Sequence, residues 1–183
     1  MKMRITGRAG PVLAAPLLAV ATLAIAAPSA SAQEAGAIAE IVDRQGRVIG
    51  TAELFETPEV GVLVRAELEG LPPGTHAFHI HERGTCAPDF EAAGDHYAPR
   101  GSSHGMLHEG GPHVGDMLNI EVPSGGAVTV ERLAPEASLR DGPTSLFDAD
   151  GSALVVHEEV DDYRSQPSGD AGDRIACGVI ERR

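Results

Sequence analysis

Apolar and polar residues alternate along this chain in short stretches. The clearest example is residues 60–68, which place Val62, Val64, Ala66 and Leu68 on one face and the charged residues Arg65 and Glu67 on the other. This is the period of a strand with one buried face. Comparable apolar stretches, separated by turn-forming residues, lie at 37–42, 48–55, 75–81, 116–122, 127–133, 153–156 and 175–180. No stretch has the period of a convincing amphipathic helix, so we expect an all-β domain of about eight short strands, a sandwich or flattened barrel.

Two long segments interrupt this pattern. Residues 82–112 and 158–173 show neither a strand period nor a helix period and are rich in Gly, Pro, Ser and Asp. Loops of this length are unusual in a compact domain and are normally functional or disordered. The first segment contains His96, His104 and His108, which suggests that a bound metal orders it.

The first 32 residues have the features of a secretory signal peptide. A basic start is followed by a largely apolar run over residues 12–27 and by the small-residue cleavage pattern Ala30-Ser31-Ala32. The apolar run is short for a membrane span. We therefore predict a signal peptide at 1–32 and one domain at 33–183, exported to a periplasm or the extracellular space without stable membrane association.

Charge excludes some classes of partner. The formal net charge is −13, and the only lysine, Lys2, lies in the predicted signal peptide. The remaining cations are scattered arginines with no basic run among them, which argues against binding to nucleic acid or to an acidic membrane surface. Whether the chain forms a homodimer stays open, because interface residues and exposed apolar residues look the same in sequence.

The chain has two cysteines, Cys86 and Cys177. In an oxidising compartment, one disulfide between them is the default expectation. Two buried free thiols would be less expected outside the cytoplasm. Metal ligation by cysteine is the weaker alternative, because the two residues are far apart and neither belongs to a CxxC pair.

All eight histidines lie between residues 76 and 157. In a strand over 75–81, His79 and His81 would share one face and provide two convergent nitrogen ligands, which suit copper and zinc. His76 would lie on the opposite face, and we expect it to brace the strand by hydrogen bonding. His108 is expected to be a solvated loop residue.

The other histidines suggest two metal sites. A site of three imidazoles and one carboxylate fits a closed, tetrahedral structural zinc, and the residues that could form it are His96, His104, His113 and Asp116. An all-nitrogen site suits Cu(II), and His79, His81 and His157 could contribute to it. Together the two sites need more ligands than these residues supply, and one imidazole shared between the ions resolves the count.

Six separated segments resemble, in residue type, spacing and order, the signature blocks of copper/zinc superoxide dismutases. They are residues 76–81, 94–97, 103–105, 113–116, 155–158 and 174–180. The resemblance extends from about residue 60 to residue 180, nearly the whole predicted domain. It implies a Greek-key β-sandwich or flattened eight-stranded barrel with two long functional loops.

The resemblance also implies roles for individual residues. Copper would be bound by His79, His81, His96 and His157, and zinc by His96, His104, His113 and Asp116, with His96 as the shared ring. Asp161 would link His79 to His104 from outside the two sites. Cys86 and Cys177 match the family disulfide, and Arg174 matches the arginine that guides the substrate.

The implied reaction is dismutation of superoxide to dioxygen and hydrogen peroxide, with His96 and Arg174 as catalytic residues. The competing hypothesis is an exported copper/zinc-binding protein that buffers or delivers metal. Storage requires neither a substrate guide nor a shared ring, so Arg174 and His96 favour the enzyme. A zinc hydrolase would need an open zinc position, which the four predicted zinc ligands do not leave.

Overall fold

The computed structural model describes residues 34–183, which form ten strands and one 3₁₀ turn. The predicted signal peptide lies outside the described residues. The strands are β1 (Ala37–Asp43), β2 (Val48–Glu56), β3 (Gly61–Leu68), β4 (Gly74–His76), β5 (Phe78–His81), β6 (Ile120–Val122), β7 (Val128–Pro135), β8 (Ala153–His157), β9 (Arg174–Val179) and β10 (Glu181–Arg182); the 3₁₀ turn is Phe90–Ala93. The all-β prediction is confirmed.

Every strand pairing is antiparallel. The larger sheet has the order β5-β8-β9-β1-β2-β3-β7, with β10 paired to β1, and the smaller sheet pairs β4 with β6. Neighbours such as β3 and β7, or β5 and β8, are distant in the chain. The chain between β5 and β8 contains the first long loop predicted from the sequence, and the second long loop joins β8 to β9. These two loops carry the candidate site residues His96, His104 and Asp161.

The alternation read from residues 60–68 is present in β3. Its buried residues face a core shared with β1, β2 and β7, while Arg65 and Glu67 are exposed. Arg65 also donates hydrogen bonds to Glu131 on β7, the strand paired with β3. One face of this part of the sheet is therefore packed and the other solvated, as expected for an antiparallel sheet.

The prediction of one continuous strand over residues 75–81 is wrong, because this run is divided between β4 and β5. His76 pairs with Ile120 in the smaller sheet, whereas Phe78 pairs with Val156 in the larger one. The change occurs at Ala77, whose N–H donates to Glu159 O and whose carbonyl accepts from His157 N–H. These two backbone bonds lead the chain from one sheet to the other, so His76 does not share a strand face with Phe78.

The predicted disulfide is confirmed. Cys86 and Cys177 are bonded, with 5.9 Å between their Cα atoms. Cys86 lies in the first long loop and Cys177 lies in β9, so the bond fastens that loop to the larger sheet. The described residues, 34–183, contain no helix that is long and apolar enough to cross a membrane.

Core packing makes a first prediction. Leu54 on β2 is fully buried, so Leu54→Ala removes apolar contacts and leaves a cavity that should cost about 2–5 kcal/mol in the free energy of unfolding. Val48, on the same strand, is 55% exposed, and Val48→Ala should change it by less than about 0.5 kcal/mol. Urea denaturation of both variants tests this, and equal losses would contradict the assignment of β2 to the core.

Candidate metal centre

Four histidines place one ring nitrogen each close together near the end of β5. His79 and His81 come from β5, His157 is the last residue of β8, and His96 follows the 3₁₀ turn. These nitrogens all lie within 4.8 Å of one another, and all four residues are buried. We call these residues the nitrogen group.

Hydrogen bonds show which ring atoms of the nitrogen group remain available. His81 Nδ1 lies 2.9 Å from Gly94 O, so Nδ1 donates and Nε2 keeps its lone pair. His81 Nε2 lies 3.2 Å from His157 Nε2. Among the described residues, His79 Nδ1 and His96 Nε2 are buried without any hydrogen-bond partner. Buried polar atoms are normally paired, so these two atoms fit a group that binds a cation.

A second set of donors surrounds one carboxylate oxygen. Asp116 Oδ1 lies 2.9 Å from His96 Nδ1, 3.1 Å from His104 Nδ1 and 3.3 Å from His113 Nδ1. Zinc bound tetrahedrally by nitrogen and oxygen at its usual bond lengths would give ligand–ligand edges of about 3.3 Å. We call these residues, His96, His104, His113 and Asp116, the mixed group; its dimensions fit such a zinc site.

His96 belongs to both groups. Its Nδ1 atom faces Asp116 in the mixed group, while its unpartnered Nε2 atom faces the nitrogen group. Its ring centroid lies 4.0 Å from that of His79 and 5.1 Å from that of His104. One imidazole ring therefore separates the two donor sets.

Burial controls the protonation of three members of the nitrogen group, His81, His96 and His157. It lowers the pKa of His81 well below the ordinary histidine value, that of His96 to about 4 and that of His157 to about 3. Repulsion from neighbouring imidazoles, such as His79 beside His96, adds to these shifts. The three rings are therefore neutral near pH 7, the form of histidine that binds metals.

The two buried carboxylates show the opposite balance. Burial alone would raise the pKa of Asp116, but hydrogen bonds with His104, His113 and His96 lower it far below the ordinary value. Hydrogen bonds with His104 and His79 lower the pKa of Asp161 in the same way, although burial would raise it. At His104 burial opposes the charged form, yet hydrogen bonds with Asp116 and Asp161 raise its pKa to about 9. Both carboxylates thus stay ionised inside the protein.

Asp161 joins one ring of each group. Its Oδ2 atom lies 2.9 Å from His79 Nε2, and its Oδ1 atom lies 2.9 Å from His104 Nε2. A carboxylate accepts, so both Nε2 atoms donate, which leaves the Nδ1 atom of His79 to the nitrogen group and that of His104 to the mixed group. Asp161 therefore orients His79 and His104 at the same time.

Comparison with known proteins identifies the family. The model of the family described as copper/zinc superoxide dismutase matches residues 48–180. The chain belongs to the copper/zinc superoxide dismutase family. It is 50% identical over 151 residues to superoxide dismutase [Cu-Zn] 2 of Aquifex aeolicus, a match that covers 81% of this chain and 88% of that relative.

Solved structures agree with this assignment. The Cu/Zn superoxide dismutase from Brucella abortus matches with a TM-score of 0.64 and 31% identity, covering 79% of this chain and 98% of that one. A superoxide dismutase-like protein from Bacillus subtilis matches with a TM-score of 0.75 and 39% identity, covering 78% and 96%. The metals of the family are copper and zinc, and the two donor groups of this chain suit them.

In this dismutase-family chain, Arg174 lies at a cleft that reaches the nitrogen group. The cleft is lined by His96, His157 and Arg174 among other residues. Arg174 Nη1 donates to Phe90 O at 2.8 Å, and Nη2 lies 3.5 Å from Glu91 Oε2. The 3₁₀ turn thus holds the guanidinium, whose side chain is only 13% exposed.

The remaining two histidines lie outside both groups of the dismutase-family site. His76 Nδ1 lies 3.0 Å from His157 O and 2.9 Å from Glu158 O, while its Nε2 lies 2.8 Å from Pro72 O. These bonds brace the backbone beside His157, although from β4 rather than from the opposite face of β5. His108 is exposed, and its Nδ1 accepts from Gly110 N–H at 3.0 Å.

Sequence reasoning missed Asn119, which holds the backbone of Asp161. Asn119 Oδ1 accepts from Asp161 N–H at 3.0 Å, and Asn119 Nδ2 donates to Asp161 O at 2.9 Å. Arg132 in turn donates to Asn119 O. The available signal was a single amide side chain between apolar neighbours, Leu118 and Ile120, which by itself does not indicate a partner 42 residues away.

Gly169 generates the second prediction. A Cβ atom at Gly169 would overlap Asp161 Oδ1 and lie 2.7 Å from His104 Nε2. Gly169→Ala should therefore displace the carboxylate and lower metal affinity roughly 10- to 100-fold, the usual cost of disturbing a partner of metal ligands. Metal content after dialysis against a chelator measures this loss.

The matched control is Gly101→Ala. Gly101 has a φ of +68°, close to the +72° of Gly169, but a Cβ atom there meets nothing within 4 Å. Both variants impose similar backbone strain, and only Gly169→Ala reaches Asp161. Equal metal retention in the two variants would contradict the proposed importance of this packing.

Proposed function

We propose that this protein dismutes superoxide, converting two superoxide anions and two protons into dioxygen and hydrogen peroxide. The observation that carries the proposal is the placement of His96, with Nδ1 in the mixed group and an unpartnered Nε2 in the nitrogen group. A redox site and a structural site that share one ring match the chemistry of the family to which the chain belongs.

The ligand assignment follows the two donor groups. The nitrogen group would hold copper through His79 Nδ1, His81 Nε2, His96 Nε2 and His157 Nε2. The mixed group would hold zinc through Asp116 and the Nδ1 atoms of His96, His104 and His113. The support is that one donor atom from each residue of a group lies within 4.8 Å of the others, together with the chemistry of each donor set, nitrogen alone for copper and nitrogen with one oxygen for zinc.

Copper, when bound, supplies the one-electron oxidation and reduction that dismutation requires. The protein's own residues bind, orient and exchange protons around it. His96 Nε2 is the ring atom that can hold and release a proton at the centre, because it is buried and has no hydrogen-bond partner. The Nδ1 atom of the same ring stays in the mixed group, 2.9 Å from Asp116 Oδ1, while Nε2 changes its protonation.

Arg174 attracts and orients the anionic substrate. Its guanidinium lines the same cleft as His96 and His157, and its main-chain oxygen accepts from Arg44 Nε at 2.7 Å. The cleft is also lined by four acidic residues, Glu82, Glu91, Asp95 and Asp173. A local positive charge is therefore needed to draw an anion towards the buried histidines of an acidic protein.

The alternative function, metal buffering or delivery, uses the same ligands. It gives no reason for a guanidinium held at the mouth of the metal cleft, nor for one ring placed in both groups. One backbone oxygen, that of Phe90, and one carboxylate, that of Glu91, fix the position of the Arg174 guanidinium. Its placement favours turnover of an anion over storage.

Export is a further part of the proposal. The basic start, the apolar run and the Ala30-Ser31-Ala32 pattern form the predicted signal peptide. The bond between Cys86 and Cys177 supports export, because disulfides persist in oxidising compartments. We therefore propose that the mature protein begins at Gln33 and acts in a periplasm or outside the cell.

Activity of the purified, metal-loaded protein gives the third prediction. His157→Ala removes a copper ligand and should abolish dismutation, while Arg174→Ala should keep its metals and lower kcat/KM roughly tenfold, within the range of electrostatic attraction. Arg174→Lys should recover part of the rate, because it retains the charge. Pulse radiolysis with copper and zinc quantified in the same samples measures both effects.

Arg140→Ala is the matched control for loss of one positive charge. Arg140 is 71% exposed and is not among the residues that line the cleft, so its rate should equal that of the wild type. A protein that carries full copper and remains inert would favour metal delivery over the dismutase.

Processing of the N-terminus is the fourth prediction. Expression of the full chain in a bacterium with a secretory pathway should yield an exported protein whose intact mass corresponds to a chain that begins at Gln33. Substitution of the small residues, Ala30→Arg with Ala32→Arg, should block cleavage because signal peptidase accepts small residues there. An exported protein that retains residues 1–32 would contradict the predicted cleavage.

A further inference from the structure

The loop at 158–173 contacts the ligand His104 through its backbone as well as its ring. Gln166 Oε1 accepts from His104 N–H at 3.0 Å, and Gln166 Nε2 donates to His104 O at 2.9 Å. One side-chain amide thus pairs with both main-chain polar groups of a residue 62 positions away. Gln166 Nε2 also donates to Arg164 O at 2.9 Å, which fixes the amide on its own loop.

We infer that Gln166 is a positioning residue that sets how tightly zinc is held, an inference that rests on the proposed role of His104 as a zinc ligand. The ring of His104 is fixed by Asp161 at Nε2, but a hydrogen bond to the ring leaves the position of the Cα atom free. The amide of Gln166 fixes the backbone, so that Nδ1 meets Asp116 at 3.1 Å.

His104 needs this external support because its own segment is irregular. Residues 101–113 contain no strand. This segment contacts the loop at 158–173 through backbone hydrogen bonds such as that from Leu107 N–H to Tyr163 O. A ligand on a strand is positioned by the sheet, whereas His104 depends on side chains such as Gln166. Partners outside the ligand shell typically change metal affinity 10- to 100-fold when they are removed.

Gln166→Met tests the inference because it keeps the length of the side chain and removes both hydrogen bonds to His104. Zinc release from copper- and zinc-loaded protein into excess chelator, quantified by mass spectrometry, should become roughly tenfold faster. Gln166→Glu keeps an acceptor for His104 N–H but places a carboxylate against His104 O, so it should also release zinc faster than the wild type. Release within twofold of the wild-type rate in both variants would overturn the inference.

Gln45→Met is the matched control. Gln45 lies in the exposed turn between β1 and β2, far in sequence from His104, and its side-chain oxygen accepts from Arg47 at 3.4 Å, so zinc release should not change. A faster release in this control equal to that of Gln166→Met would overturn the inference, because it would show a general effect of the substitution.

Cobalt(II) bound in place of zinc separates positioning from general stability. Its visible ligand-field bands report the geometry of the bound ligands, and they should shift in Gln166→Met. Unchanged bands together with a lower Tm of the metal-free protein would show a merely structural role and overturn the inference. His104→Ala tests the proposed function separately: if it retains zinc as tightly as the wild type, the ligand assignment itself is wrong.

Discussion

Burial of imidazoles and carboxylates in the protein interior is the constraint on which this structure depends. His79, His81, His96, His104 and His157 are buried together with Asp116 and Asp161. Burying ionised groups without partners is costly, so each carboxylate must meet several donors. Asp116 meets three imidazoles and two backbone N–H groups, those of Gly105 and His113. The chain has to bring distant segments together before these groups are satisfied.

The fold meets this requirement by dividing the work between the sheet and the loops. Strand β5 presents His79 and His81 in a fixed register, paired with β8, which ends at His157. The remaining members of the two donor groups lie on loops, where backbone and side-chain hydrogen bonds replace the register of a sheet. Asn119 holds Asp161, and the disulfide fastens the first loop to β9. Specific polar contacts and one disulfide therefore hold these irregular segments in place.

Much of the fold could be predicted from the sequence, because period-two alternation such as that of β3 directly reflects a half-buried face. The change of sheet at Ala77 could not, because it depends on backbone bonds to residues 157 and 159 that leave no local pattern. The members of the two donor groups could be named from ligand chemistry and family resemblance, and the structure brings those atoms together. Asn119 and Gln166 could not be found in that way, because an amide that binds a distant backbone resembles any other polar residue in sequence.

The single ring of His96 that contributes Nδ1 to one group and Nε2 to the other has a thermodynamic consequence. If zinc at one nitrogen changes the free energy of binding copper at the other, then copper must change the free energy of binding zinc by the same amount. The order in which the two ions arrive can alter the rate of assembly, but it cannot alter the stability of the final complex. Removal of either ion would therefore change the free energy of binding the other ion through the shared imidazole.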